Sequence, residues 1–198
     1  MRTISLFLLG LLLAKCQGYN VQYKSLGQIT VPEPAFVKVG HFAGQKDYLM
    51  ISQFSAFGAG KVAVIPDIAD KVAAKDWKNI KPVQVSAEFT WPNNIEEVPA
   101  EVFPGINAIA VPDGFLVPGH QTGNVWILTT DPADVTKHTG SYKITKEKRD
   151  YFYHMGRWVD LNNDGRLDFL TARSNAKSGG GEMVWLEHPE GGLKTLPW

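Results

Sequence analysis

Asp160-Leu161-Asn162-Asn163-Asp164-Gly165-Arg166-Leu167-Asp168 puts oxygen-bearing side chains at positions 1, 3, 5 and 9 of nine residues, with glycine at 6. Ca²⁺ is a hard cation that takes several oxygen ligands at short range. Three carboxylates crowded this closely repel one another without a cation. Asp164-Gly165 supplies a sharp turn, because glycine reaches positive φ at no steric cost. Arg166 at position 7 contributes its backbone carbonyl, with its side chain expected in solvent. Phe169 and Leu170 follow, so Asp168 opens a buried strand that anchors the loop. The alternative is a polar surface turn, but four ligand positions and the glycine share one metal logic. An EF-hand needs a bidentate Glu at position 12 and a helix after the loop. Position 12 is Thr171, and residues 168–172 read as a strand, so an EF-hand is set aside.

The wider stretch carries a resemblance. Trp158-Val159 precedes the loop, Phe169-Leu170 follows it, and a glycine run leads to Val184-Trp185-Leu186-Glu187-His188-Pro189. This resembles one FG-GAP/VCBS-type repeat, a β-propeller blade best known from integrin α-chain heads and many secreted proteins. The resemblance implies a Ca²⁺-holding loop between two strands of a blade. Asp160, Asn162, Asp164 and Asp168, with the Arg166 carbonyl, are then the metal ligands. It implies nothing specific about biological role.

Outward from the loop, the chain reads as all-β. Short apolar or alternating runs are punctuated by Gly, Pro, Asn and Asp. Strands are expected at 48–54, 62–65, 83–89, 108–111, 114–117, 125–129, 153–159, 168–172 and 183–187. One short helix-period stretch covers 68–77. Three stretches resemble one another. They start at Asp47, Asp113 and Asp168, and each runs strand, glycine-containing loop, strand, then Pro66, Pro132 or Pro189. The repeats span roughly 36–90, 103–145 and 152–198. Only the third keeps the metal loop. Ala43 stands where Asp164 stands in the first, and Ala110-Val111-Pro112 before Asp113 has no acidic ligand. One Ca²⁺ site is therefore expected.

A propeller ring closes with about four to eight blades, so three repeats leave it incomplete. Trp198 sits about where Trp77 sits in the first repeat, before an outer strand begins. A longer natural chain with further C-terminal blades is expected, or self-association that completes the ring.

Residues 1–18 read as a signal peptide: Arg2, an apolar run over 4–14, then Cys16-Gln17-Gly18. The run is too short for a membrane span, and Lys15 before Cys16 argues against a lipoprotein anchor. The remaining 19–198 hold no cysteine, since Cys16 is the chain's one cysteine. A secreted chain without disulfides relies on its core and on metal. Without Arg2 and Lys15, the 20 basic residues fall to 18 against 20 acidic ones, a net of about −2. That balance argues against nucleic acid. No Asn-x-Ser/Thr acceptor occurs.

The remaining chemistry is sparse. His41, His120, His138, His154 and His188 have no zinc-ligand spacing. His120 and His154 are weighed as lining a central channel against being structural. Trp77, Trp91 and Trp158 are weighed as a sugar-stacking platform against core packing. Trp126 and Trp185 are read as core. Residues 143–150 read as a solvated charged loop, and Gly179-Gly180-Gly181 as a hairpin turn. No nucleophile elbow is present. The expected function is a secreted, Ca²⁺-binding, propeller-like module that binds an extracellular protein or glycan, with an extracellular or mineral matrix as one setting. A propeller enzyme or lectin acting on carbohydrate is the alternative.

Overall fold

The computed structural model describes residues 24–42, 44, 46–55 and 58–198. The 1–18 signal reading, Cys16 and Ala43 lie outside the described residues. The fold is all-β, three antiparallel sheets that do not close into a ring. Sheet 1 is β1 (Pro34–Gly40), β2 (Tyr48–Gln53), β3 (Gly60–Ile65) and β4 (Val83–Phe89), in that order. Sheet 2 is β5 (Glu96–Glu97), β6 (Asn107–Pro112), β7 (Val125–Asp131) and β8 (Asp134–Lys143), also in chain order. Sheet 3 is β9 (Tyr151–Val159), β10 (Asp168–Asn175) and β11 (Gly181–Leu186). A single α-helix is described, α1 (Ile68–Ala73), between β3 and β4. No described helix is long and apolar enough to cross a membrane.

The sheets stack face to face, and strand periodicity explains how. Successive side chains leave opposite faces of a strand. In sheet 1, Tyr48 and Met50 of β2, Val62 and Val64 of β3, and Phe89 of β4 point to one face. They pack on Ile109 and Val111 of β6 and Leu128 of β7. The alternate residues of sheet 2, Ala108, Ala110, Val125 and Ile127, pack on Tyr153, Phe169 and Leu186 of sheet 3. Sheet 2 is thus covered on both faces. That is why β6 and β7 read as nearly continuous apolar runs instead of alternating ones. The far face of sheet 1 is covered by Ile29, Val31, α1 residues Ile68 and Val72, and Trp77 and Ile80.

The structure departs from the expected strands in identifiable places. Residues 114–117 are a loop, not a strand: Phe115 N–H donates to His120 O (2.6 Å) and His120 N–H to Val117 O (2.9 Å), closing a tight turn. Asp113 therefore follows the end of β6, whereas Asp47 precedes β2 and Asp168 opens β10. The strand of sheet 2 matching β2 and β10 is Asn107–Pro112, so the second of the three stretches is out of register with the others. β1 and β8 were not expected. β1 exposes Phe36, Val37 and Val39 together, without alternation. β8 buries one large apolar side chain, Val135, in ten residues. The 179–181 turn is as read, with Asn175 N–H donating to Gly180 O (2.7 Å) between β10 and β11.

Candidate functional site

The 160–168 loop joins β9 to β10 and turns around its own side chains. Asp164 N–H is shared by Asp160 Oδ1 (3.2 Å) and Asn162 Oδ1 (3.1 Å). Gly165 N–H donates to Asp160 Oδ2 (2.9 Å), and Arg166 N–H to Asp164 Oδ1 (2.8 Å). Asn163 sits at φ 61° and Gly165 at φ 85°. Asn tolerates the left-handed region and glycine meets no barrier there. The oxygens of Asp160, Asn162 and Asp164 thus face one turn whose amides point inward.

Asp168 behaves differently from the other three. It is fully buried. Its Oδ1 accepts from His188 N–H (2.9 Å), and its Oδ2 from the Trp185 indole Nε1–H (2.8 Å) and Leu161 N–H (3.4 Å). It brackets β9, β10 and the end of β11 to the root of the loop. Of the other two carboxylates in the loop, Asp160 is half-buried and Asp164 is exposed. Among the described residues, no group of three or more His, Cys, Asp or Glu side chains gathers as a metal-holding set.

Arg166 is not turned to solvent. Its guanidinium donates to Asp164 Oδ2 (2.5 Å) and, through Nε, to His188 O (3.2 Å). The Arg166 backbone N–H, then the Asn162 amide and the guanidinium charge, hold the Asp164 carboxyl below its usual range. Glu187 is an acidic neighbour the sequence did not reveal. Its Oε1 accepts from Asn162 Nδ2 (3.1 Å) across the end of β11. The turn offers two carboxylates and an amide oxygen, each accepting from the turn's own amides, with buried Asp168 at its root and Glu187 bonded to Asn162. All present oxygens, as Ca²⁺ prefers.

A second buried aspartate mirrors the bracket. Asp113, fully buried, accepts from Asn124 N–H at Oδ1 (2.5 Å), and from Thr90 N–H (2.9 Å) and Trp126 Nε1–H (3.0 Å) at Oδ2. It ties the end of β4 to the β6–β7 connection. Burial pushes its carboxyl up to about 6 against these donors. Trp126 and Trp185 thus share a role, each donating from a third strand to a buried Asp. Neither is fully buried, and Trp185 is 48% exposed, because the indole must lie over the sheet to reach its carboxylate.

The other aromatic residues separate into distinct places. Trp91 is sandwiched between Phe54 (4.9 Å, 7° between planes) and His120 (4.5 Å, 22°), so neither indole face is free for a sugar. Trp158 packs on Phe169 within the sheet 2–sheet 3 core. Trp77 lies on the far face of sheet 1. The three do not form one platform. His120 and His154 stand at the two ends of an aromatic run through Trp91, Phe115 and Phe152. Each contacts rings, and burial lowers the His154 pKa. No family model, curated protein or solved structure matches this chain.

Proposed function

We propose that this chain is a Ca²⁺-stabilised, propeller-like binding module of the FG-GAP/VCBS type that works outside the cell. The observation that carries the reading is the 160–168 turn, where the Asp160, Asn162 and Asp164 oxygens cluster about the turn's own amides while buried Asp168 fixes its root. Bound Ca²⁺ would supply the positive charge that the turn's carboxylates draw from Arg166. The chain's own residues do the rest: Asp168 holds the strands, and the turn backbone orients the ligands. An extracellular site of this kind is tuned to about 10⁻⁴ to 10⁻³ M, which extracellular calcium occupies. The signal-type N-terminus supports secretion. Its partner is an extracellular protein or glycan. Met155 (52% exposed), Met183 (69%) and Trp185 (48%) on the outward face of sheet 3 are where a further sheet would pack, from a second copy or from more of a longer chain.

The test is thermal unfolding with calcium and with chelator. At ten times its Kd, Ca²⁺ stabilises the folded state by about 1.4 kcal/mol. For a domain of this size that is about 3 to 6 °C. Asp164→Ala removes an exposed charged ligand. It is expected to abolish most of the calcium-dependent rise while leaving the melting temperature in chelator nearly unchanged. An equal rise in variant and wild type would place the cation elsewhere or nowhere.

A further inference from the structure

On the side of sheet 1 away from sheet 2, the 28–32 segment and the 77–82 turn border a cleft of about 520 Å³. Its base is rigid. Ile80 is 3% exposed and packs with Ile51, Ile65 and Ile68. Trp77 is half-buried against the same cluster. Gly27 backs its indole so closely that a Cβ there would lie 2.2 Å from Cε2, so only glycine fits. The turn is fixed by Asn79 N–H to Asp76 O (3.1 Å) and by the Asn79 amide to the Asp76 carboxylate (2.9 and 3.0 Å). Unlike Trp91, Trp77 has no aromatic ring against it among the described residues.

The charged residues that line the cleft are both basic, the nearby Asp76 carboxylate being bonded to Asn79 outside the lining. Lys78 and Lys81 line the cleft and are exposed, and no described carboxylate pairs with either. Gln28 and Thr30 add neutral hydrogen-bonding groups, and no acidic residue lines the cleft. An aromatic ring and two lysines lining one cleft suit a ligand that is both flat-faced and anionic. The C–H face of a pyranose ring meets the first requirement and its carboxylate or sulfate meets the second.

We propose that this cleft binds an acidic saccharide, with Trp77 stacked on one sugar ring and Lys78 and Lys81 on its anionic groups. The inference deepens the extracellular-binding reading by naming a ligand class and rests on it. The calcium site plays no part in it.

Calorimetric titration of the full chain in millimolar calcium tests it, with a heparin hexasaccharide, neutral maltohexaose and inorganic sulfate as probes. The hexasaccharide is expected to bind and to be released by raised salt, as screening weakens the lysine contacts. Maltohexaose and sulfate are expected not to bind measurably. Lys78→Gln with Lys81→Gln should weaken hexasaccharide binding about tenfold. Both side chains are exposed, so that variant keeps its fold and its calcium response. Trp77→Phe, which retains a smaller ring, should weaken binding less. Equal binding of maltohexaose, unchanged affinity in the lysine variant, or sulfate binding as tightly as the hexasaccharide would each overturn the proposal. A calcium-dependent melting shift in the same preparation separates the two readings. Its loss with saccharide binding intact would remove the metal reading alone, and the reverse would remove this one alone.

Discussion

Asp113→Ala is expected to lower the unfolding free energy by about 3 to 5 kcal/mol. The carboxylate is fully buried and accepts from Thr90 N–H, Asn124 N–H and Trp126 Nε1–H. Truncation leaves three donors from three segments without an acceptor. It also frees the end of β4 from the β6–β7 connection, at the seam between sheets 1 and 2. An urea titration measures the loss. A change below about 1 kcal/mol would mean that other acceptors replace the carboxylate and that the seam does not depend on it.

The same residue sets a pH dependence whose sign is unusual for an aspartate. Burial raises its folded pKa from the usual aspartate range to about 6. The folded state therefore binds the proton more tightly than the unfolded chain. The stabilisation is fully present below the unfolded pKa and is lost as pH rises through about 6. A shift of this size corresponds to about 3 kcal/mol across that window. His154 and His188 act in the opposite sense. Burial lowers their folded pKa, so the stability they contribute is present above the usual histidine range and falls as pH drops through it. Subtracting the profile of Asp113→Asn from that of the wild type isolates the aspartate. The difference should show wild-type stability declining, relative to the variant, between about pH 4 and 6. A flat difference would show that Asp113 does not titrate in this window.

What could be read from the sequence divides by distance along the chain. The 160–168 turn was legible because its hydrogen bonds join residues two to five apart. The β-class was legible from β2, β6, β7 and β10, whose apolar runs reflect burial between layers. β8 was not, because an edge strand with a mostly polar sequence looks like a loop until β7 pairs with it. The role of Asp113 was hidden for a similar reason. Its partners lie 11, 13 and 23 residues away and meet it only through sheet register. Trp185 and Glu187 reach the loop from β11 in the same way. A short polar motif declares its own turn, but the buried bracket that supports it is built from distant residues.

Asp168 is the point where these two kinds of information meet, and its replacement should separate them. Asp168→Ala is expected to cost about 2 to 4 kcal/mol, since His188 N–H, Trp185 Nε1–H and Leu161 N–H all lose their acceptor. That corresponds to a fall in melting temperature of about 4 to 16 °C for a domain of this size. The fall should appear in chelator as well as in calcium, because the bracket works without a cation. Asp164→Ala, by contrast, should act mainly when calcium is present, since in chelator it loses only exposed bonds such as those to Arg166. Trp185 gives a second readout: its indole loses its carboxylate partner and its emission should move to longer wavelength as the ring gains water. Asp168→Asn retains one carbonyl acceptor and should recover part of the stability, although its amide now opposes one of the donors. Were Asp168→Ala silent in chelator and deleterious only in calcium, Asp168 would be a metal ligand alone, and the root of the loop would be held by the β9–β10 ladder instead.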